Sequence, residues 1–291
     1  MNTEALILAI IPLIGWGLGD VFGIFSSRKI GSYLTTFYQF LFGIEISLLV
    51  LPFVWGDFSK ITLPLLLGNL AIGTLYVLAN FFVNEGFKQS SASVVGIIIQ
   101  SFPAVVLVLS ALIFKDPLAT SQVFWVIIVF TGIFLCSVDL KELFSTKLKF
   151  DLGIKYALTA SIIFSIYFTF FRLFSNQYGW FLPNFISFLT LPVALYFAKI
   201  IIKEKSKIKI IKNKLILGTL ILSSLLIRSG DIALNLGLSK GYASIVSPLA
   251  GAAPLVFIIA SSIVFKDKIS KQQKLGIIVS LVGILGLSFI G

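Results

Sequence analysis

The chain has 291 residues, of which 58% are hydrophobic and 12% charged, about half the charged fraction of a soluble domain. Its net charge is +11, it has no histidine, and Cys136 is its single cysteine. This excludes a water-soluble globular fold, an intrachain disulfide, and histidine-based triads, zinc sites and haem sites.

About 20 apolar residues span a bilayer. Such runs occur near 4–25, 33–54, 62–83, 92–114, 122–138, 153–175, 183–202, 214–236, 243–265 and 272–290. They predict an all-α integral membrane protein with ten transmembrane helices and no room for a soluble domain. The first run follows Met1-Asn2-Thr3-Glu4, without the positive start or clean cleavage site of a signal peptide, and is read as a true span. It carries Trp16 and Asp20, with Gly15, Gly19 and Gly23 at the spacing that lets helices approach closely. The second span carries Glu45 near its middle, and the third carries Asn80, with Asn84 just beyond it. Pro103 lies within the fourth span and removes a backbone hydrogen bond there. Arg172 stands near the end of the sixth span, where it can snorkel to the interface. The eighth span holds Arg228, Asp231 and Asn235, and the ninth holds Pro254.

The segment Phe114-Lys115-Asp116 returns as Phe265-Lys266-Asp267, 151 residues later. The same register aligns Asn84 with Asn235, Gly86 with Gly237, Pro103 with Pro254, Gln122 with Gln273 and Gly132 with Gly283. This points to an internal duplication, with one repeat over 1–140 and the other over 152–291. Five spans is an odd number, so the second repeat enters the membrane inverted. Two inverted five-helix repeats are the architecture of many secondary transporters, with the site near the midplane.

These residues carry a family resemblance. Trp16-Gly17, the mid-helix prolines and the two turns Lys115–Gln122 and Lys266–Gln273 resemble the drug/metabolite transporter superfamily, in particular a transporter with two EamA domains. The family's turn reads Gly-Glu-x-Leu-Thr-x-x-Gln; here Lys replaces Gly and Asp replaces Glu in both copies. The resemblance covers nearly the whole chain and implies metabolite transport, with an amino acid or related zwitterion favoured. In the turns, Ser270 and Gln273 have capping-box spacing, and Asp116 and Asp267 are expected to cap the helix that follows.

A charge at the bilayer centre costs roughly 2.5–3.5 kcal/mol on the insertion scale, so charges inside spans are expected to be paired or to face water. Arg228 and Asp231, three apart, share one helix face. With Trp16, Asn80, Asn84 and Asn235 they form the candidate substrate-binding set, Arg228 gripping an acidic group. Glu45, read as buried, is the first candidate for proton coupling and Asp20 the second. Pro103 and Pro254 are candidate hinges. No metal or cofactor is expected.

Three other functions were weighed. Gly17-Leu18-Gly19-Asp20 resembles the Gly-x-Gly-Asp signature of intramembrane aspartyl proteases, with Asp231 as the second aspartate. The accompanying Tyr-Asp and Pro-Ala-Leu motifs are absent, and a protease leaves the duplication unexplained. A channel would need a selectivity filter, and none is legible. A lipid transporter is the remaining alternative. The expected partners are a small-molecule substrate and anionic lipid headgroups, not nucleic acid, and the chain is expected as a monomer or homodimer.

Lys and Arg crowd the loops after odd-numbered spans, including Arg28, Lys29, Lys141, Lys147, Lys149, Lys203, Lys205, Lys207, Lys209 and Lys212. The alternate loops hold Lys60, Lys115 and Lys240. This bias places the termini outside the cell membrane, whereas family members are usually drawn with both termini inside.

Overall fold

A computed structural model describes residues 3–137, 151–203, 207–240 and 242–290. Lys141, Lys147, Lys149, Lys205 and the boundary at 140 lie outside them. Among the described residues there are helices and no strands. In chain order they are α1 (Thr3–Ile30), α2 (Ser32–Leu48), a 3-10 helix (Leu51–Lys60), α3 (Leu63–Gln89), α4 (Ala92–Gln100), α5 (Phe102–Phe114) and α6 (Thr120–Ser137). There follow α7 (Leu152–Tyr178), α8 (Leu182–Leu189), α9 (Leu191–Ile202), α10 (Lys214–Ser239), α11 (Ala243–Gly251), α12 (Ala253–Phe265) and α13 (Lys271–Ile290).

Polar residues at the ends of apolar runs set several helix starts. Asp151 accepts from the amides of Gly153 and Ile154 at 2.8 and 3.3 Å, opening α7. Asn213 does the same for α10 through Leu215 and Ile216. Each satisfies donors that a helix start leaves unpaired. At α13 the expected capping box forms: Ser270 N donates to Gln273 Oε1, and Gln273 N donates to Ser270 Oγ.

Six helices are long and apolar enough to cross a membrane, or eight if each of two bent pairs is one span. The expectation of ten exceeds this count because two runs form bent pairs and two more, Thr120–Cys136 and Leu249–Phe265, are shorter apolar helices. The second run ends at Leu48, and the 3-10 helix containing Pro52 turns away by 91°. Trp55 and Phe53 on that helix are exposed, as suits an aromatic anchor at the interface. α8 and α9 meet at 51° beside Pro192. α4 breaks at Ser101 before Pro103, and α11 breaks at Ala252 before Pro254. Proline lacks the amide that would continue the ladder, yet fits the first turn of a new helix. The two breaks thus fall at corresponding positions of the repeat.

Packing runs crosswise. α1 makes its most extensive contact with α10, α3 with α7, and α6 with α13. Gly15 and Gly19 permit the first contact. A Cβ on Gly15 would fall on the backbone oxygen of Leu226, which has no side-chain freedom to move aside. At the other end of the pair, Lys240 donates to Glu4, and that bond holds the Lys240 ammonium above its ordinary pKa.

The repeated Phe-Lys-Asp now acquires a physical meaning. Arg28 at the end of α1 makes a two-bond fork with Asp267, Nη1 to Oδ1 at 3.1 Å and Nη2 to Oδ2 at 2.8 Å. Its guanidinium lies 4.7 Å from the Phe265 ring centre. Arg172 of α7 meets Asp116 at 2.6 and 3.4 Å, and lies 3.8 Å from the Phe114 ring centre. In each copy Phe stacks on the arginine, Asp grips it, and Lys turns the chain between them. The expected capping role of the aspartates is therefore corrected. Asp267 accepts from Ala92 N at 2.6 Å, at the start of α4 rather than of α13.

Lys115 and Lys266 close their helices in the left-handed region, at φ 58° and 51°. A side chain there costs roughly 1–2 kcal/mol, which explains glycine in the resembling turn. Lys115→Gly and Lys266→Gly are each expected to stabilise the protein. Allowing for the greater freedom glycine gives the unfolded chain, the net gain is about 0.5 kcal/mol. A higher unfolding temperature in detergent is the check, and an unchanged or lower one would refute the argument.

Candidate functional site

Arg228 lies on α10 roughly 21 Å from that helix's first residue, near the middle of its length. It is among the largest fully buried side chains, with 1% exposure. Its Nε donates to Ser47 Oγ of α2 at 2.6 Å, and Ser47 in turn donates to Gly43 O. The guanidinium carbon lies 4.6 Å from the Phe188 ring centre and 5.3 Å from that of Phe181. One edge is thus held by α2 and one face by the aromatic wall of α8.

Its partner is loose. Arg228 Nη1 and Asp231 Oδ2 are 3.6 Å apart, beyond good hydrogen-bond distance. Arg228 Nη2 and Asp231 Oδ2 have no hydrogen-bond partner at all. Asp231 Oδ1 accepts from Trp16 Nε1 at 3.0 Å, fixing the carboxylate against α1. A buried charged donor and acceptor left unsatisfied are costly, and a ligand with complementary groups would remove that cost.

The structure brings Trp16, Arg228 and Asp231 together in one chain of contacts. Asn235 follows Asp231 by one turn of α10 and is half-buried. Asn80 is half-buried and donates back to Tyr76 O of its own helix. Asn84 stands elsewhere: 4% exposed, it donates to Thr36 Oγ1 and Gln39 Oε1. Gln39 continues to Ser223 Oγ, and Ser223 to Gly19 O. That file ties α1, α2, α3 and α10 together as a polar joint. Asp20 accepts from Gln100 Nε2 at 3.3 Å, at the break between α4 and α5.

Glu45 requires a correction. It is exposed, three residues before the end of α2, and not buried at a mid-span position. The early turn at Pro52 shortens the span and carries this residue toward its end. Arg172, near the end of α7 and part-exposed, pairs with Asp116 there. Sequence reasoning missed Ser47, Phe181, Asn184 and Phe188, which lie among many similar residues in apolar runs. It also missed Glu85, 3% exposed and bonded by Ser32 and Gln89. The third run was ended before Glu85, whereas α3 continues to Gln89. Among the described residues no three or more His, Cys, Asp or Glu side chains cluster to hold a metal.

A bundle of long apolar helices with an ionic pair buried at mid-helix defines a multi-pass membrane protein with an internal polar site. The comparisons make this specific. The chain belongs to the EamA-like transporter family, whose profile matches residues 3–138 and 151–289. That family groups membrane transporters of the drug/metabolite type. An uncharacterised protein of Methanocaldococcus jannaschii is 36% identical over 89 residues, covering 31% of this chain. The chain spans 65% of that relative's length, just under two thirds. A solved crystal structure aligns over 98% of this chain and 96% of its own, with a TM-score of 0.60 at 15% identity, a likeness of fold alone.

Proposed function

We propose that the chain is a secondary active transporter carrying a small metabolite, an amino acid or related zwitterion in preference, across the cell membrane by alternating access. The observation that carries this reading is Arg228, buried at mid-helix with an unpartnered Nη2 beside an unpartnered Asp231 oxygen. Arg228 anchors the acidic group, and Asp231 orients the anchor or takes the amine. Trp16 and Asn235 complete the site, with Asn80 at its margin; Asn84 belongs to the joint that holds the surrounding helices.

Ten spans, arranged as inverted repeats over 1–140 and 152–291, remain the architecture we favour. Its support is crosswise: α1 packs on α10 as α7 packs on α3. In this topology the Arg28–Asp267 and Arg172–Asp116 clamps fall at opposite membrane faces. The breaks before Pro103 and Pro254 then supply hinges at matching places. A recess of about 300 Å³ beside Pro103, Ser110 and Asp116 lies on the Arg172 face. The charge bias puts that face and both termini outside.

Coupling to protons is assigned to Asp20, one helical turn after Trp16 on α1, rather than to Glu45, which is exposed. The protease reading is disfavoured, because its two aspartates must share a proton. Here each carboxylate has its own donor, Gln100 Nε2 for Asp20 and Trp16 Nε1 for Asp231. Metabolite profiling of cells overproducing the protein, followed by flux in proteoliposomes, tests the whole reading. Parent flux should follow an imposed pH gradient. Asp20→Asn should keep exchange of the same solute and lose its response to the gradient. If Asp20→Asn responds like the parent, the coupling group is elsewhere.

A further inference from the structure

Asn184 is a buried polar residue of the aromatic wall. It lies on α8, three residues after Phe181 and four before Phe188, hence on the same helix face as both rings. That is the face over which the Arg228 guanidinium lies. Asn184 is 5% exposed, and its Oδ1 has no hydrogen-bond partner. Of the neighbouring polar groups, Asn69 Nδ2 donates to Pro183 O at 3.0 Å, while its Oδ1 is unpartnered as well. Ser187 Oγ donates to Pro183 O at 2.8 Å and lies 3.3 Å from the Tyr167 hydroxyl. One apolar wall therefore presents an unsatisfied donor, Arg228 Nη2, and an unsatisfied acceptor, Asn184 Oδ1, which do not satisfy each other.

We propose that Asn184 is a specificity-determining contact that accepts a hydrogen bond from an amine or hydroxyl on the carbon next to the substrate's acid group. This rests on the transporter reading and on Arg228 as its anchor. The complement of such a wall is a small acid with a donor at the 2-position and an apolar tail against Phe181 and Phe188. A site built to bond a substrate donor rejects the analogue lacking it, because its own buried acceptor is then left unpaired. Asn184 is neutral, so it reads the donor and not its charge. Asp231, also unpartnered at Oδ2, adds preference for the ammonium.

The test uses the full chain in lipid nanodiscs and three probes of one skeleton: leucine, 2-hydroxy-4-methylpentanoate and 4-methylpentanoate. Isothermal titration of the parent should rank the two 2-substituted acids about tenfold or more above the unsubstituted one. Asn184→Leu keeps the branched heavy-atom shape and removes the orphaned acceptor. It should reduce that preference to within about twofold while leaving 4-methylpentanoate little changed. Asn184→Asp should raise the preference for leucine over the hydroxy acid. Arg228→Gln should abolish binding of all three acids together.

If Asn184→Leu folds and keeps the tenfold preference, the proposal is overturned and the Arg228 anchor stands. If Arg228→Gln binds the acids like the parent, the anchor itself fails, whatever Asn184 does. A parent that binds none of the three, or does not rank them, overturns the assignment of this ligand class. An Asn184→Leu protein that is more stable with ligand ranking intact would reduce Asn184 to a packing residue.

Discussion

Arg228→Gln should abolish substrate binding, and Arg228→Lys should weaken it by about tenfold or more. The guanidinium is planar, with its Nε committed to Ser47 and its face on Phe188, so only its remaining edge is available to a ligand. A carboxylate meeting that edge gains a charge-assisted bond in a site from which water is largely excluded. Lysine keeps the charge but loses both the bond to Ser47 and the stacking plane, so the cation is no longer aimed. Removing one partner of a buried ion pair also leaves Asp231 uncompensated, which destabilises the fold by about 3–5 kcal/mol. The double variant Arg228→Gln with Asp231→Asn separates the two effects. It should recover thermal stability without recovering binding. Recovery of binding would show that the pair serves only the packing of α10.

Breaking either Phe-Lys-Asp clamp should shift the protein toward opening at that clamp's face. The two are unequal. Arg28 donates to Asp267, to Phe87 O at 3.0 Å and to Ser90 O at 3.0 Å, and Asp267 also holds the start of α4. Arg172 and Asp116 are joined by their fork alone at side-chain exposures of 40% and 41%, against 28% and 20% for the first pair. Water screens the second pair more, so the Arg28–Asp267 clamp is the firmer of the two. Asp267→Ala should therefore produce the larger shift, on the order of 5- to 150-fold in the equilibrium between states.

Single cysteines on a Cys136→Ala background would report it. Ala92→Cys lies under the first clamp and Ser165→Cys on α7, and both positions are buried at 1% and 0% exposure. Asp267→Ala should speed maleimide labelling at the first position only, and Asp116→Ala at the second only. Equal changes at both would mean general loosening and would remove the gating role. With an impermeant reagent, Ala92→Cys should react only in opened cells if the charge bias is right. Reaction in intact cells would put the termini inside.

Much of this protein was legible in the linear chain. Apolar runs of membrane length leave no alternative to a helical bundle, since backbone groups in lipid must pair within their own segment. The register linking Phe114-Lys115-Asp116 to Phe265-Lys266-Asp267 paired the two segments, and three-residue spacing put Arg228 and Asp231 on one face. These are local or periodic properties, and spacing alone carries them. What the repeated segment grips was not legible, because Arg28 and Arg172 approach from helices far away in sequence. Nor was the fate of each polar residue inside a span. Asn84 locks helices, Asp231 meets Trp16, Glu45 turns outward, and Asn184 is buried with an unpartnered oxygen. Which face of a membrane helix meets lipid, protein or a polar interior depends on its neighbours. Lipid tails and buried side chains are equally apolar, so hydropathy cannot distinguish the faces. Crosswise packing of α1 on α10 and of α3 on α7, set by small residues and close backbone approach, made that choice.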